Sequence, residues 1–210
     1  MSNHSILTIS KQILLVSILL LSSCSENDVT PSTIEPAKEI IPLKVGNVWA
    51  TQVNLYDTVG NITQTLMDSV KVLKDTVFNN ERWYSTFVGY DMVYNNGPEG
   101  YYRRYQEVGS SVYNIVLQWK YPAIPNQVYT FNGVTIHVVS TSEQIEVGSE
   151  KLNCYQYKWD YYGIDSIYVG RAQVWISPGI GKAKHIEYAQ KKSGGEFLIY
   201  KEELVSYKIY

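Results

Sequence analysis

The chain has 210 residues, with 18 basic against 20 acidic side chains and a formal charge of −2, and no basic patch of the kind nucleic-acid binding requires. Nineteen tyrosines and five tryptophans stand against only four phenylalanines. Rings that keep one polar atom wet suit half-exposed sheet faces, strand edges and ligand grooves.

Residues 1–23 hold one basic residue, Lys11, and no acid, and residues 13–21 are aliphatic except for Ser17. Nine apolar residues engage an export machine but fall short of the ~17–25 that a spanning helix needs, so cleavage is expected. Leu21-Ser22-Ser23-Cys24 resembles the bacterial lipobox. The resemblance implies a signal peptide over 1–23 and a diacylglycerol on the Cys24 sulfur, commonly with an acyl chain on its new amino group. Two or more chains hold a protein firmly at a membrane surface.

Residues 24–40 read as the lipidated cysteine and a flexible tether, because 25–39 hold only Val29, Ile34 and Ala37 as apolar members. Ser25-Glu26-Asn27-Asp28 resembles the acidic tag that sends Bacteroidota-type lipoproteins to the cell surface, and Ser25 after the cysteine does not resemble an inner-membrane retention signal. The expected location is the cell envelope, lipid-anchored, at either face of the outer membrane. With Cys24 lipidated, Cys154 has no intrachain partner and the exported body carries no disulfide.

Residues 41–210 read as one all-β domain. Turn signals fall at Gly60-Asn61, Asn79-Asn80, Asn95-Asn96-Gly97, Gly109-Ser110, Asn132-Gly133, Gly148-Ser149, Gly163, Pro178-Gly179 and Gly194-Gly195. Asn132-Gly133 between two β-rich runs is the strongest hairpin signal, because a type I′ turn needs positive φ at both central residues. The last glycine turns recur every 15 or 16 residues, which predicts a meander of long antiparallel strands, nine to eleven in all. Such strands twist into a curved sheet, half-barrel, barrel or sandwich. Residues 67–75 are the one stretch that could host a short helix.

Tyr155, Tyr157, Trp159 and Tyr161 alternate with Gln156, Lys158 and Asp160, which places the four rings on one strand face as a candidate ligand surface. His137 and His185 each stand alone on a predicted strand, so no metal site and no cofactor is expected. Cys154 in an apolar strand reads as an inert thiol rather than a nucleophile. Asp160, Asp165, Glu143, Glu146 and Glu150 sit near hairpin ends, where a facing pair would allow glycoside hydrolysis at ~5–9.5 Å. Arg103 and Arg104 are adjacent on a strand and so point to opposite faces.

The segment 41–49, Ile-Pro-Leu-Lys-Val-Gly-Asn-Val-Trp, resembles the "PLKxGNxW" opening of a broad set of uncharacterised Bacteroidota-type lipoproteins. Residues 175–182, Trp-Ile-Ser-Pro-Gly-Ile-Gly-Lys, resemble their late Pro-Gly turn, and 147–157 around Cys154 resemble the strand between. The resemblance implies an envelope lipoprotein and no assigned activity. The reading that follows is a non-catalytic, membrane-anchored protein binding a hydrophobic or glycan ligand, or a partner protein, on its sheet. The alternatives are an assembly subunit of an envelope complex, and a hydrolase using the hairpin-end carboxylates.

Overall fold

Every regular element among the described residues, which are 39–86, 93–106, 111–162 and 168–210 of the computed structural model, is an antiparallel strand. The first hairpin joins β1 (Val48–Tyr56) to β2 (Ile62–Lys71). In its turn the Asp57 carboxylate accepts the backbone N–H groups of Val59 and Asn61 at 3.0 and 2.9 Å. The chain then changes sheet at Val72, which is fully buried. Its N–H donates to Asn47 O and its carbonyl accepts from Gly46 N, both at 2.9 Å, while the next N–H, of Leu73, already bonds Ser85 O in the second sheet.

That second sheet is a five-strand meander of β3 (Lys74–Phe78), β4 (Glu81–Ser85), β5 (Val93–Gly97), β6 (Gly100–Gln106) and β7 (Tyr113–Lys120), in that order. The chain returns to the first sheet for β8 (Val128–Phe131), β9 (Val134–Val147), β10 (Glu150–Tyr162), β11 (Tyr168–Ser177), β12 (Gly181–Gln190) and β13 (Glu196–Lys208). The eight-strand order is β2-β1-β13-β12-β11-β10-β9-β8, and it stays open at β2 and β8. Only β1 and β13 pair without being consecutive, so the meander expected from the glycine spacing is the rule of the fold. Asn132 and Gly133 have φ of +47° and +78°, as a type I′ hairpin demands.

Thirteen strands exceed the nine to eleven expected, because the second sheet opens with three strands of only five residues. Residues 67–75 contain no helix. Met67 and Val70 stand opposite Gln52 and Trp49, and β1 pairing overrides the local helical preference. Asn95, Asn96 and Gly97 are strand residues rather than a turn: Asn95 pairs with Tyr102, and Asn96 Nδ2 donates to Ile41 O at 2.8 Å. The turn lies one step later, at Pro98-Glu99, and Gly100, which opens β6, has φ +134° and comes so close to β7 that a Cβ would sit 2.0 Å from Trp119 O. The turn signals at Gly109-Ser110 and Gly163 lie outside the described residues.

The two sheets pack face to face through rings. Trp119 of β7 meets Tyr157 and Trp159 of β10 at centroid distances of 5.3 and 5.8 Å, and Tyr121 meets Tyr155 edge-on at 5.3 Å. Two strands change phase to keep this face apolar. On β9 the more buried positions are even-numbered up to Ser140 and odd-numbered from Thr141, and on β10 the inner face passes from Leu152 and Cys154 to Tyr155, Tyr157 and Trp159. Register shifts between Cys154 and Tyr157 mark the place.

Candidate functional site

The opening stretch and the late Pro-Gly turn meet at one end of the large sheet. Trp49 Nε1–H donates to Ile180 O at 2.5 Å, and Gly179 N–H donates to Glu39 O at 2.9 Å. Gly181 has φ +116° and lies so close that a Cβ would stand 3.0 Å from Trp49 Nε1. Asn47 is fully buried with its polar atoms used: Nδ2 donates to Pro42 O at 2.9 Å and Oδ1 accepts Tyr210 N–H at 3.0 Å. The conspicuous motifs thus form a structural clasp, and Trp49 and Leu43 of that clasp wall one side of a hollow between the sheets.

The hollow measures about 540 Å³, inside the ~300–1,000 Å³ of small-molecule sites. Its small-sheet wall is Tyr94, Tyr101, Gln118 and Trp119; its large-sheet wall includes Ile136, Trp159, Tyr161, Val174 and Tyr200. Register places the wall in rows across the sheet. One row runs Val138, Tyr157, Val174, His185, Glu202, Val53 and Leu66, from β9 to β2. The next runs Ile136, Trp159, Ala172, Glu187, Tyr200 and Leu55.

The four rings of the β10 ladder therefore divide. Tyr157 is 0% exposed and its hydroxyl donates to Lys120 O at 2.6 Å, bridging the sheets as core. Tyr155 packs on Tyr121 and Tyr157. Trp159 and Tyr161, meeting edge-on at 6.1 Å, line the hollow.

The polar part of the wall comes from β12 and β13. Glu202 is 5% exposed and its Oε2 accepts from Lys182 Nζ at 2.6 Å and Tyr200 OH at 3.0 Å, with His185 Nδ1 at 3.8 Å. His185 Nε2 lies 3.2 Å from Glu187 Oε1, off hydrogen-bonding geometry. Burial pushes the Glu202 carboxyl up, but the contacts from His185, Lys182 and Tyr200 outweigh it and hold it at about 2. Burial and the Glu202 charge push the Tyr200 phenol up, so it stays a donor.

Because the folded value of Glu202 lies below the ordinary 4.5, its contribution to stability is complete above about pH 4.5 and fades as pH falls toward about 2. Glu202→Gln is expected to remove on the order of 3 kcal/mol of this pH-dependent stability. Denaturant titrations of both proteins across that window check it, and parallel pH profiles would refute it.

The other sequence candidates do not assemble. Cys154 is buried, its thiol pushed up to about 12 by burial and the nearby Glu143, which suits an inert core residue. His137 is exposed, opposite Lys158 and Val128. Glu143 pairs across from Cys154, six residues and ~20 Å along β10 from Asp160. Glu146 is exposed beside Lys151, Tyr207 donates to Glu150, and Asp165 lies outside the described residues. No group of His, Cys, Asp or Glu among the described residues could hold a metal ion. Arg103 stacks at 5.0 Å on Tyr105 and Phe131, while Arg104 stacks at 3.7 Å on Phe78, on opposite faces as expected.

No protein-family model matches this chain, and no curated protein matches it in sequence. Among solved structures it is similar to a candidate exported protein of Bacteroides fragilis with a YmcC-like fold, at 13% identity and TM-score 0.52, over 80% of this chain and 98% of that one. A candidate lipoprotein of Parabacteroides distasonis is similar at 15% identity and TM-score 0.45, over 81% and 98%. At these identities the likeness is one of fold.

Sequence reasoning missed the Lys182–Glu202–Tyr200 cluster, in which Tyr200 and Glu202 share one face of β13 and only the β12–β13 pairing brings Lys182 and His185 to them. One local sign existed: Glu202 interrupts the alternation Leu198, Tyr200, Leu204 on β13.

Proposed function

We propose that this protein is a non-catalytic, lipid-anchored protein of the cell envelope that binds a small, largely apolar ligand in the hollow between its sheets. The observation that carries the binding reading is the aromatic-walled cavity of about 540 Å³ with one concentrated polar cluster, the composition of a ligand pocket rather than of a packed core. The anchor rests on the short leader and on Leu-Ser-Ser-Cys24. The Bacteroides fragilis neighbour is a candidate exported protein, which supports export and not the anchor itself. An outer-membrane location rests on the resemblance to Bacteroidota-type lipoproteins.

Intact-mass analysis of the protein extracted from its own envelope tests the anchor. It is expected to find a chain beginning at Cys24 and carrying a diacylglyceryl group, and Cys24→Ala is expected to lose both the modification and membrane retention. An unmodified thiol or an uncleaved leader would end the anchor assignment. Organic extraction of the same preparation, followed by mass spectrometry, is expected to release a small molecule in near-stoichiometric amount; a pocket occupied by nothing but phospholipid would count against a dedicated ligand.

A further inference from the structure

We infer that the hollow selects an organic cation: an apolar or aromatic body carrying an ammonium head that docks against the wall formed by Trp159, Tyr161, His185 and Tyr200, beside the carboxylates there. The inference rests on the proposed binding reading and specifies its ligand class.

The first support is charge. Glu202 and Asp68 line the hollow, and Glu187 stands on the row between Trp159 and Tyr200. Among the described residues on this part of the inner face, Lys182 is the one permanently charged cation, and it is already bonded to Glu202. A second cation, Arg103, stacks over Phe131 at the β8 side of the hollow, five strands from β13, and its charge acts on Tyr94 and Tyr101 of the small-sheet wall, so the excess of carboxylates belongs to the β12–β13 side alone. Burial pushes the Tyr161 and Tyr200 phenols up, and Glu187 at Tyr161 and Glu202, Glu187 and Asp68 at Tyr200 add to the rise, which places these carboxylates within reach of the two rings.

The second support is the direction of the unused hydrogen-bonding groups. Thr51 is 3% exposed, lines the hollow, stands opposite Asp68, and its hydroxyl oxygen has no partner among the described residues. Gln118 Oε1, on the facing sheet, is likewise buried and unpartnered. Lys182, Tyr200 and His185 all approach Glu202 at Oε2. Two buried oxygens on the walls of the hollow are thus unpartnered among the described residues, as is His185 Nε2, and unpartnered buried acceptors favour a ligand that brings N–H donors.

The third support is the rings. Trp159 and Tyr200 flank His185 at centroid distances of 5.9 and 5.3 Å, with Tyr161 edge-on to Trp159. Electron-rich faces beside carboxylates attract ammonium groups by ~0.5–2 kcal/mol per ring.

The test holds the body constant and changes the head: phenethylamine, 2-phenylethanol and phenylacetate at neutral pH, with binding read by tryptophan fluorescence of the mature protein in lipid nanodiscs against empty discs. The amine is expected to bind about tenfold tighter than the alcohol, and the carboxylate weakest. Asp68→Asn, at an exposed position that leaves the fold intact, is expected to narrow the amine–alcohol gap about threefold, and Glu202→Gln to close it. Equal or tighter binding of the alcohol or carboxylate, a gap unchanged in both variants, or no binding of any of the three would overturn the inference. The uncharged dye 1-N-phenylnaphthylamine separates the two failures. If it binds while the head groups are not discriminated, the pocket stands and the ligand class falls; if it does not bind, the pocket reading falls as well.

Discussion

Replacing Trp49 by alanine is expected to cost about 3–5 kcal/mol of stability, the range for deleting a buried aromatic. The ring is buried where three pieces of chain converge: the opening stretch, the β11–β12 turn and the wall of the hollow. Its loss removes apolar burial and leaves the partly buried Ile180 O without its donor, a separate penalty of roughly 1 kcal/mol. Trp49→Phe keeps most of the ring and is expected to lose roughly the hydrogen-bond part alone. Guanidinium unfolding of the wild type and both variants, compared at equal slope, separates the two contributions. A loss below about 1 kcal/mol for Trp49→Ala would show that the clasp is not an anchor of the fold.

Val174→Trp is expected to abolish binding in the hollow while leaving the protein folded. Val174 is 1% exposed at the middle of the large sheet, between Tyr157 and His185 on its row, and its side chain faces the cavity. Val174 meets the hollow only at its edge, so an indole there must push its neighbours aside to enter it, at the ~1–3 kcal/mol typical of overpacking. The affinity for 1-N-phenylnaphthylamine is expected to fall by more than about 30-fold, corresponding to roughly 2 kcal/mol of lost ring contact. Unchanged far-ultraviolet dichroism and a loss of stability no larger than about 3 kcal/mol complete the expected result. Retained affinity in a folded variant would place the dye elsewhere.

How far the sequence discloses this protein follows from the range of the interactions involved. Hairpins are local: Asn132-Gly133 carries its φ requirement in two residues, and the even glycine spacing needs only one turn per strand. The alternation of Tyr155, Tyr157, Trp159 and Tyr161 is local too, and it names the right face of β10. Which rings fill and which line a hollow is set by the other sheet, where Lys120 O captures Tyr157 while Trp159 is left beside open space. The division into two sheets depends on the step from Val72, bonded to Asn47 and Gly46, to Leu73, bonded to Ser85, and that step has no signature in composition. Glu202 looks like one more exposed acid until the β12–β13 register sets it opposite His185 and within reach of Lys182.

The most direct measurement is a crystal structure of the protein grown with 1-N-phenylnaphthylamine. The dye is expected between the sheets, stacked against Trp119 and Trp159 with its amine toward Tyr200 and Glu202. Dye bound on the outer strand faces, or a hollow empty at saturating dye, would contradict the assignment of that space as the binding site.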